Sequence, residues 1–346
     1  MVQVKNIKEL AAIIGISATT VSRVLNGKAT KYRISDNTSK KVLDAAARFN
    51  YYPNIFARGL RLEKTETLGL IVPDIANPFF ASIAKSIEFE SRLKGYSIIL
   101  CDSMDSCQTE TILLQLLAGR KVEGIILAPV GLRTDHISDF LEKGVPVVII
   151  DRYLPGIQVP SIITDNYTGA LQAVEHMISK GHRKIGCIQG LNGISLNTDR
   201  VNGYKDALMN HNIRIEENLI AGNDFGEQNG YDQTMKLLSL RDRPTAILAL
   251  SNLISLGIMR ALSENGLAIP DDISLVAFDD QPYSAYLASP MTTVDQPKEE
   301  IGKRAVNTLL DSIHDGDTKR QTNIMLKPRL IVRNSVKDIR DIKMGS

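Results

Sequence analysis

Residues 7–26 read IKELAAIIGISATTVSRVLN, a pattern of two short helices joined by a tight turn. Asn6 is a suitable N-cap for the first helix, with Glu9 as its capping-box partner three residues later. Gly15 permits the left-handed turn that a second helix at a steep angle requires, and Ser17 can cap that helix. The arrangement is typical of a helix-turn-helix, although two amphipathic helices joined at a glycine also form ordinary helical hairpins.

The second helix, Ala18 to Leu25, is predicted to be amphipathic. Val21, Val24 and Leu25 occur at the spacing of a buried helix face. The polar residues predicted to face outward are Thr19, Thr20, Ser22, Arg23 and Asn26. A short helix with such a polar, cationic outer face fits the major groove of B-DNA.

The charge distribution separates a basic head from the remainder of the chain. Residues 1–64 hold 12 Lys and Arg against 4 Asp and Glu, the following residues hold 29 against 35, and the whole chain has a net charge of only +2. A basic segment at one end of a nearly neutral protein is typical of a nucleic-acid-binding module joined to a second function. The charge distribution therefore favours a DNA-binding helix-turn-helix over an ordinary helical hairpin.

A third helix is predicted to complete the head, which spans residues 1–50. It starts at Ser35 and runs to the region of Phe49, with its apolar residues at helical spacing. The loop before it carries Lys31 and Arg33, which are either phosphate contacts or solvated charges. Their place beside the second helix favours phosphate contacts.

Residues 51–65 are predicted to form a hinge. Pro53 can start a helix there, but about two turns of helix are too short to be stable alone. We therefore expect this segment to become ordered only against a partner. Between a DNA-binding head and a receptor core, the expected partner is DNA.

From residue 66 onward, short apolar runs alternate with helical stretches. The predicted strands are Leu68–Val72, Ser97–Cys101, Gly124–Leu127, Val147–Ile150, Ile185–Ile188, Ala246–Leu250 and Leu275–Phe278. Apolar strands that alternate with helices indicate α/β domains whose parallel sheets are covered on both faces. About 275 residues suit two such domains better than one. The polar residues that follow the strands are then expected to meet in a cleft between the domains.

The composition is that of an ordinary soluble globular protein. No apolar run is long enough to span a bilayer, and the first ten residues lack a signal-peptide core, so we expect a cytoplasmic location and no membrane partner. Cys101, Cys107 and Cys187 have no paired spacing and are predicted to be thiols without a disulfide or metal role. We expect no metal and no cofactor.

Seven segments follow one another along the chain: SATTVSRVLN, YYPNIFARGL, TLGLIVPDIANPFFASIA, GHRKIGCIQG, RPTAILALSNLISLGIMRAL, IPDDISLVAFDD and TTVDQP. In sequence and in order they resemble the lac repressor family of bacterial transcription regulators, over nearly the whole chain. The resemblance implies an α/β fold with a three-helix helix-turn-helix head, a hinge helix and a two-lobed clamshell of parallel, Rossmann-like subdomains. The lobes that it implies are residues 66–164 with about 296–323, and residues 165–295 with about 324–340.

The resemblance also implies which residues contact DNA. Arg23 corresponds to the family's base-reading arginine, and Ala18 and Thr19 correspond to its main specificity positions. Leu60 corresponds to the leucine that wedges into the minor groove and kinks the operator. The other residues predicted to contact DNA are Thr20, Ser22, Asn26, Lys31, Arg33, Asn54 and Arg58. The loop from Gly27 to Arg33 is a few residues longer than in the lac repressor, so contacts there need not carry over.

An effector is predicted to bind in the cleft. The residues predicted to bind it are Asn77, Phe79, Phe80, Asp151, Arg152, Arg200, Phe225, Ser251, Asp279 and Gln296. Most of them match the binding set of ribose-binding relatives, with Ser251 where those receptors have Asn. Carboxylates and guanidinium groups suit sugar hydroxyls, and phenylalanine rings can cover a pyranose face. Taken singly, Asp151 also suits a helix cap, Asp279 a turn and Phe79 a hydrophobic core.

We therefore predict a homodimeric transcription repressor that binds a pseudo-palindromic operator in double-stranded DNA and responds to a small sugar. The alternatives are a regulator that responds to a nucleoside or to a phosphorylated carrier protein. A glycosidase that uses Asp151 and Asp279 would leave the basic head without a role, so no enzyme is predicted. The tail after Val332 lacks leucine heptads, which favours a dimer over a tetramer. The sequence leaves open whether the effector releases or promotes DNA binding.

Overall fold

The computed structural model describes residues 4, 6–51, 64–131, 134–315 and 323–340. The chain divides into two compact units, Met1–Glu66 and Thr67–Ser346. Most of the predicted hinge, including Asn54, Arg58 and Leu60, lies outside the described residues.

The first unit contains the three predicted helices. They are α1 (Ile7–Ile14), α2 (Ala18–Leu25) and α3 (Asp36–Arg48). Both N-caps of the helix-turn-helix are confirmed: the Asn6 side chain accepts hydrogen bonds from the backbone of Lys8 and Glu9, and Ser17 Oγ accepts one from Thr20 N at 3.1 Å. Glu9 also accepts a hydrogen bond from the Asn6 amide at 2.7 Å. The helix starts therefore follow from local sequence signals.

A turn at Gly15 orients these helices. Gly15 ends α1 in the left-handed conformation, with a φ of 67°. The helices then meet around a small apolar core in which Leu10, Val21 and Val42 are fully buried. Between α2 and α3, the chain makes a single 3-10 turn over Thr30–Tyr32.

The second unit is built from two six-stranded sheets in its described part. The strands are β1 (Thr67–Val72), β2 (Ser97–Asp102), β3 (Gly124–Leu127), β4 (Val147–Asp151), β5 (Ser161–Thr164), β6 (Ile185–Ile188), β7 (Ile220–Ala221), β8 (Ala246–Ala249), β9 (Ser274–Phe278), β10 (Thr292–Asp295), β11 (Asn323–Leu326) and β12 (Arg329–Ile331). The helices are α4 (Pro78–Leu93), α5 (Cys107–Gly119), α6 (Asp135–Leu141), α7 (Asn166–Ser179), α8 (Ser195–Asn210), α9 (Glu227–Leu238), α10 (Asn252–Glu264) and α11 (Lys298–Asp315).

The two sheets have the same layered construction. The first has the strand order β11-β5-β4-β3-β1-β2 and is parallel throughout. The second has the order β12-β10-β9-β8-β6-β7 and is parallel except for β12, which pairs antiparallel with β10. Helices cover both faces of each sheet over separate apolar clusters. No helix in the described ranges is both long and apolar enough to cross a membrane.

All seven predicted strands are present, and five further strands were not predicted. These are β5, β7, β10, β11 and β12. Each has only two to four residues. The edge strands β11 and β12 are also partly exposed, so they lack the continuous apolar run that marks a central strand. The antiparallel β12 corrects the expectation of purely parallel sheets.

The chain crosses between the two sheets three times. It leaves the first sheet after β5, returns through α11 to β11, and crosses again to β12. We call residues 67–164 with 298–326 the N-lobe, and residues 165–295 with 329–340 the C-lobe. The last crossing lies beyond the expected boundary near residue 323, because Asn323–Leu326 pairs with Ser161–Thr164 in the first sheet.

Candidate functional site

A cavity of about 240 Å³ lies between the N-lobe and the C-lobe, next to the carboxyl ends of the parallel strands. All ten residues predicted for the cleft line it, namely Asn77, Phe79, Phe80, Asp151, Arg152, Arg200, Phe225, Ser251, Asp279 and Gln296. Residues separated by more than 200 positions in the sequence therefore meet around one space.

The start of α4 forms one wall of this cavity. Asn77 caps the helix, its Oδ1 accepting a hydrogen bond from Phe79 N at 3.0 Å, and Pro78 occupies the first turn. The rings of Phe79 and Phe80 meet edge to face, with centroids 5.1 Å apart. Both rings are buried, so the helix cap places a fixed aromatic wall beside the cavity.

Two buried carboxylates occupy corresponding places in the two lobes. Asp151 ends β4 and Asp279 follows β9, and their φ angles are 73° and 71°. Each residue is only 5% exposed. This left-handed conformation is uncommon for residues other than glycine, and such strain clusters at functional sites.

Each carboxylate has a neighbouring donor. Arg152 Nε lies 3.5 Å from Asp151 Oδ2, an ion pair without hydrogen-bond geometry. Gln296 Nε2 donates to Asp279 Oδ1 at 2.6 Å. Burial raises the pKa of Asp151, and the charges of Arg152 and Arg200 oppose that rise. The guanidinium groups of Arg152 and Arg200 therefore offset part of the negative charge of the two buried carboxylates.

Arg200 is held by the protein through several of its donors. Its Nε donates to Asn166 Oδ1 at 2.7 Å and its Nη1 donates to Leu250 O at 2.5 Å. The guanidinium also stacks on the Phe278 ring, 4.0 Å from the centroid. Burial lowers the pKa of Arg200, while Asp279 and Asp151 raise it. Much of this side chain's hydrogen-bonding capacity is therefore used before any ligand arrives.

Ser251 has a structural role that its sequence context did not suggest. Its hydroxyl accepts a hydrogen bond from Ile254 N at 3.1 Å, which caps α10. The same hydroxyl donates to Phe225 O at 2.9 Å. Ser251 therefore fixes the loop that carries Phe225 as well as lining the cavity.

The next residue, Asn252, reaches across the cavity. Its Nδ2 donates to Asn77 Oδ1 at 2.9 Å and so connects the two lobes. Within the described part of the chain, its buried Oδ1 has no hydrogen-bond partner. A buried acceptor without a donor costs free energy, so a ligand donor at this point would be stabilising.

Phe225 packs directly on Gly190. A Cβ atom added at Gly190 would overlap the ring of Phe225. The lack of a side chain at residue 190, just after β6, is therefore what lets this ring lie against the cavity wall.

The cavity lining is acidic overall. Asp74, Asp105 and Asp224 join Asp151 and Asp279 around it, against the guanidinium groups of Arg152 and Arg200. Burial raises the pKa of Asp105, Arg152 opposes that rise, and Asp74 and Asp224 add to it. This charge balance favours a neutral or cationic ligand over an anionic one.

The outer face of α2 is a second candidate site, in the first unit. The Arg23 guanidinium stacks on the ring of Tyr32, 3.9 Å from its centroid, and Thr19 is exposed. Thr20 Oγ1 lies 2.8 Å from Ser17 Oγ. The face thus presents one oriented guanidinium beside small hydroxyl groups.

Some other side chains that are predicted to contact DNA also make contacts within the head. Asn26 Nδ2 donates to the Ser22 carbonyl at 2.6 Å, so it also closes the end of α2. Ala18 is half-buried against the apolar core, so only part of its surface faces outward. Lys31 and Arg33 are exposed in and after the 3-10 turn, where Arg33 has a φ of 51°. Asn54, Arg58 and Leu60 lie outside the described residues.

Comparison with known proteins identifies the family. Residues 6–54 match the model for bacterial regulatory proteins of the lacI family, and residues 174–336 match a periplasmic binding protein-like domain. The HTH-type transcriptional repressor PurR of Photobacterium profundum is 32% identical over 335 residues, which is 96% of this chain and 99% of that protein. The chain belongs to the lacI family.

Two solved structures agree with this assignment. The lac repressor dimer bound to operator and the anti-inducer ONPF has a TM-score of 0.82 and 26% identity, covering 97% of this chain and 100% of that one. A LacI family transcriptional regulator from Enterococcus faecium with bound ribose has a TM-score of 0.71 and 30% identity, covering 79% of this chain and 100% of that one. The predicted family and fold are confirmed, and the protein is a transcriptional repressor of this family. The relative from Photobacterium profundum is a repressor, in agreement with a role as a transcriptional regulator.

Some residues that line the cavity of this lacI-family repressor were not predicted from the sequence. They are Asp105, Gly131, Asp224, Gly226 and Leu253. Asn252 is not among them, because it directly follows Ser251 at a strand end, where the sequence places cleft residues. Asp105 and Asp224 each lie three residues beyond a strand, in turns that carry no distinguishing local pattern.

Proposed function

We propose that a free, neutral sugar, bound in the cavity between the lobes, controls the operator affinity of this repressor. The observation that carries the proposal is the lining of that cavity. Buried carboxylate, amide and guanidinium groups surround it beside the rings of Phe79 and Phe80. Few other small molecules combine many hydroxyl groups with flat apolar faces as sugars do.

The hydrogen-bonding groups of the cavity suit a ligand that carries several hydroxyl groups. The carboxylates of Asp151 and Asp279 each accept from more than one hydroxyl. Asn252 Oδ1 supplies a further buried acceptor, and Arg152 supplies a donor whose Nε lacks a hydrogen bond among the described residues. A sugar hydroxyl can both donate and accept, so one ligand can satisfy these groups together.

The charges argue against a phosphorylated sugar. A phosphate requires cationic groups whose charge is not already offset, whereas the charge of Arg152 is paired with Asp151 and Arg200 is bonded to Asn166 and Leu250. The lining carries more carboxylates than guanidinium groups. The bound ribose in the Enterococcus faecium relative is consistent with a neutral sugar here. A nucleoside or a phosphorylated carrier protein is the alternative signal.

DNA recognition is proposed to follow from α2. Arg23 is the base-reading residue, and Thr19 with part of Ala18 completes the surface that faces the bases. The exposed Lys31 and Arg33 contact phosphates, and residues 51–65 form the hinge that carries Leu60 into the minor groove.

A homodimer is proposed as the DNA-binding form. The edge strand β2 and its neighbouring helices expose a group of apolar side chains. These are Phe89 and Leu93 on α4, Leu100 on β2, and Ile112 and Leu116 on α5. An exposed apolar patch beside an open sheet edge marks an interaction surface, and a second copy would cover it. The related lac repressor structure is a dimer.

Control of DNA binding is proposed to act through the lobes. A sugar that contacts Asp151 in the N-lobe and Asp279 in the C-lobe favours whichever lobe orientation brings both within reach. It shifts the population of orientations only as far as its affinities for them differ. In the dimer, that shift changes the spacing of the two hinges and hence the register of the heads on DNA.

A thermal unfolding screen of the full chain tests the effector assignment. The panel contains neutral mono- and disaccharides, their phosphates, and nucleosides. A ligand at 100 times its dissociation constant adds about 2.7 kcal/mol to the free energy of unfolding. We expect one neutral sugar to raise the melting temperature by several degrees, and Asp279→Asn to abolish that shift.

The control for this screen is Asp242→Asn, which removes an exposed carboxylate in the same lobe and keeps the shift. A response to phosphates or nucleosides alone would reject the sugar assignment. It would leave the assignment as a DNA-binding repressor in place.

A further inference from the structure

The loop between α2 and α3 is a turn held by backbone hydrogen bonds. Tyr32 N donates to the carbonyls of Lys28 and Ala29 at 3.2 Å each, and Ile34 N donates to Ala29 O at 3.0 Å. Ala29 and Ile34 pack against the apolar core of the head. Lys28 N in turn donates to Arg23 O at 2.9 Å, which ties the loop to the last turn of α2.

This turn places the ring of Tyr32 under the guanidinium of Arg23. The distance from Arg23 Cζ to the ring centroid is 3.9 Å, well within the range of a cation–π contact. Tyr32 is 43% exposed, so hydrophobic burial alone does not explain its place. The contact joins two residues nine positions apart that share no helix.

A stacked guanidinium keeps its hydrogen-bond donors available. The ring covers one face of the planar group, while the N–H donors point outward in the plane. Guanine O6 and N7 are read by two such in-plane donors in the major groove. Stacking on Tyr32 and bidentate reading of a guanine are therefore compatible geometries.

We propose that Tyr32 is a positioning residue for base recognition, holding the Arg23 guanidinium in the plane from which it reads a guanine. A long arginine side chain otherwise has many rotamers, and fixing one of them upon binding weakens affinity. Tyr32 fixes the rotamer before DNA arrives. The inference rests on the proposed role of Arg23 as the base-reading residue. It gives the loop from Gly27 to Arg33 a function in operator specificity.

The test begins with selection of a preferred duplex from random-sequence DNA by the full wild-type chain. Dissociation constants are then measured by fluorescence anisotropy for that duplex and for a second duplex. In the second duplex, the guanine that the selection favours in each half-site is replaced by adenine. The variants are Tyr32→Leu, Tyr32→Phe, Arg23→Ala and the double variant Tyr32→Leu with Arg23→Ala. Thermal unfolding confirms that each variant is folded.

We expect Tyr32→Leu to weaken binding to the selected duplex roughly two- to fivefold, the size of an exposed cation–π contact. Binding to the adenine duplex should change much less, so discrimination falls by a similar factor. Tyr32→Phe keeps the ring and should restore wild-type discrimination. In the Arg23→Ala background, Tyr32→Leu should have no further effect.

Equal weakening on both duplexes, or an undiminished effect of Tyr32→Leu without Arg23, would overturn the positioning role of Tyr32. Either result leaves the proposed repressor function standing. If the wild-type chain selected no palindromic duplex, the proposed DNA recognition would itself be rejected, and the role of Tyr32 with it.

Discussion

At the scale of single residues, Asp151 and Asp279 show how the two lobes contribute to one proposed ligand site. Asp151 ends β4 and Asp279 follows β9, both with a positive φ, and each places a buried carboxylate beside the same cavity. A ligand that bonds to both contacts the N-lobe and the C-lobe at once. Its binding free energy then depends on how the lobes are oriented, which is the requirement for a molecular switch.

The contact between Gly190 and Phe225 gives a prediction at this scale. Gly190→Ala places a methyl group where the Phe225 ring now lies, so the ring must move and the cavity wall changes. We expect the affinity for the sugar identified by thermal screening to fall by about tenfold, which corresponds to ~1.4 kcal/mol. Isothermal titration calorimetry measures this change.

Gly119→Ala is the matched control for that substitution. A Cβ at Gly119 meets open space at the end of α5, and alanine is the better helix former. It should leave sugar affinity unchanged. Wild-type sugar affinity in Gly190→Ala would show that Phe225 does not shape the binding site.

At the scale of elements, two helix starts face each other across the cavity. Asn77 caps α4 in the N-lobe, and Asn252 begins α10 in the C-lobe, one residue after its cap. The hydrogen bond between their side chains spans the lobes. The polar residues at these helix starts thus lie on both sides of the proposed ligand site.

The C-terminal tail offers a prediction on the pH dependence of stability. His182 joins the tail to the C-lobe, with its Nε2 3.1 Å from Lys337 O and its Nδ1 2.8 Å from Thr245 Oγ1. Burial lowers the pKa of His182 below its ordinary value of 6.5. The unfolded chain therefore takes up this proton first as the pH falls.

The consequence is a loss of stability on acidification. The contribution of His182 is complete above pH 6.5 and disappears as the pH falls through its lowered folded-state pKa. Urea unfolding over this range should show a weaker pH dependence for His182→Gln than for wild type. The exposed His314→Gln should behave like wild type. An unchanged pH dependence in His182→Gln would contradict this account.

Elements differ in how far the sequence predicts them. The helix starts at Asn6 and Ser17 depend on contacts within three residues, so local pattern was sufficient. The central strands were visible as apolar runs. Edge strands such as Asn323–Leu326 are short and partly exposed, and only their pairing with a distant strand defines them. That pairing is a tertiary property without a local signal.

The same reasoning applies to the candidate site. Residues directly after a strand, such as Asp279, were predictable because parallel strands end at one edge of a sheet. Asp224 was not, because its place depends on the path of a turn. The stacking of Arg23 on Tyr32 likewise required the conformation of a loop that no local pattern specified.

At the scale of the whole molecule, the apolar patch around β2 predicts the oligomeric state. Leu93 is 65% exposed on α4 beside this edge strand. Leu93→Glu puts a charge into the proposed dimer contact, so we expect sedimentation analysis to show a shift from dimer to monomer and weaker operator binding. Leu256→Glu changes a leucine that is 44% exposed on α10, away from this patch, and should remain dimeric. A dimeric Leu93→Glu would place the interface elsewhere.

Sugar binding and operator binding are proposed to be coupled in one molecule. The most direct measurement is the dissociation constant for the selected operator with and without saturating sugar, together with that for the sugar with and without operator. Linkage requires both ratios to be equal, and a coupling of 1–3 kcal/mol corresponds to roughly 5- to 150-fold. We predict equal ratios in this range, in either direction. A sugar that binds the cavity and leaves operator affinity unchanged would show that the two sites are not coupled.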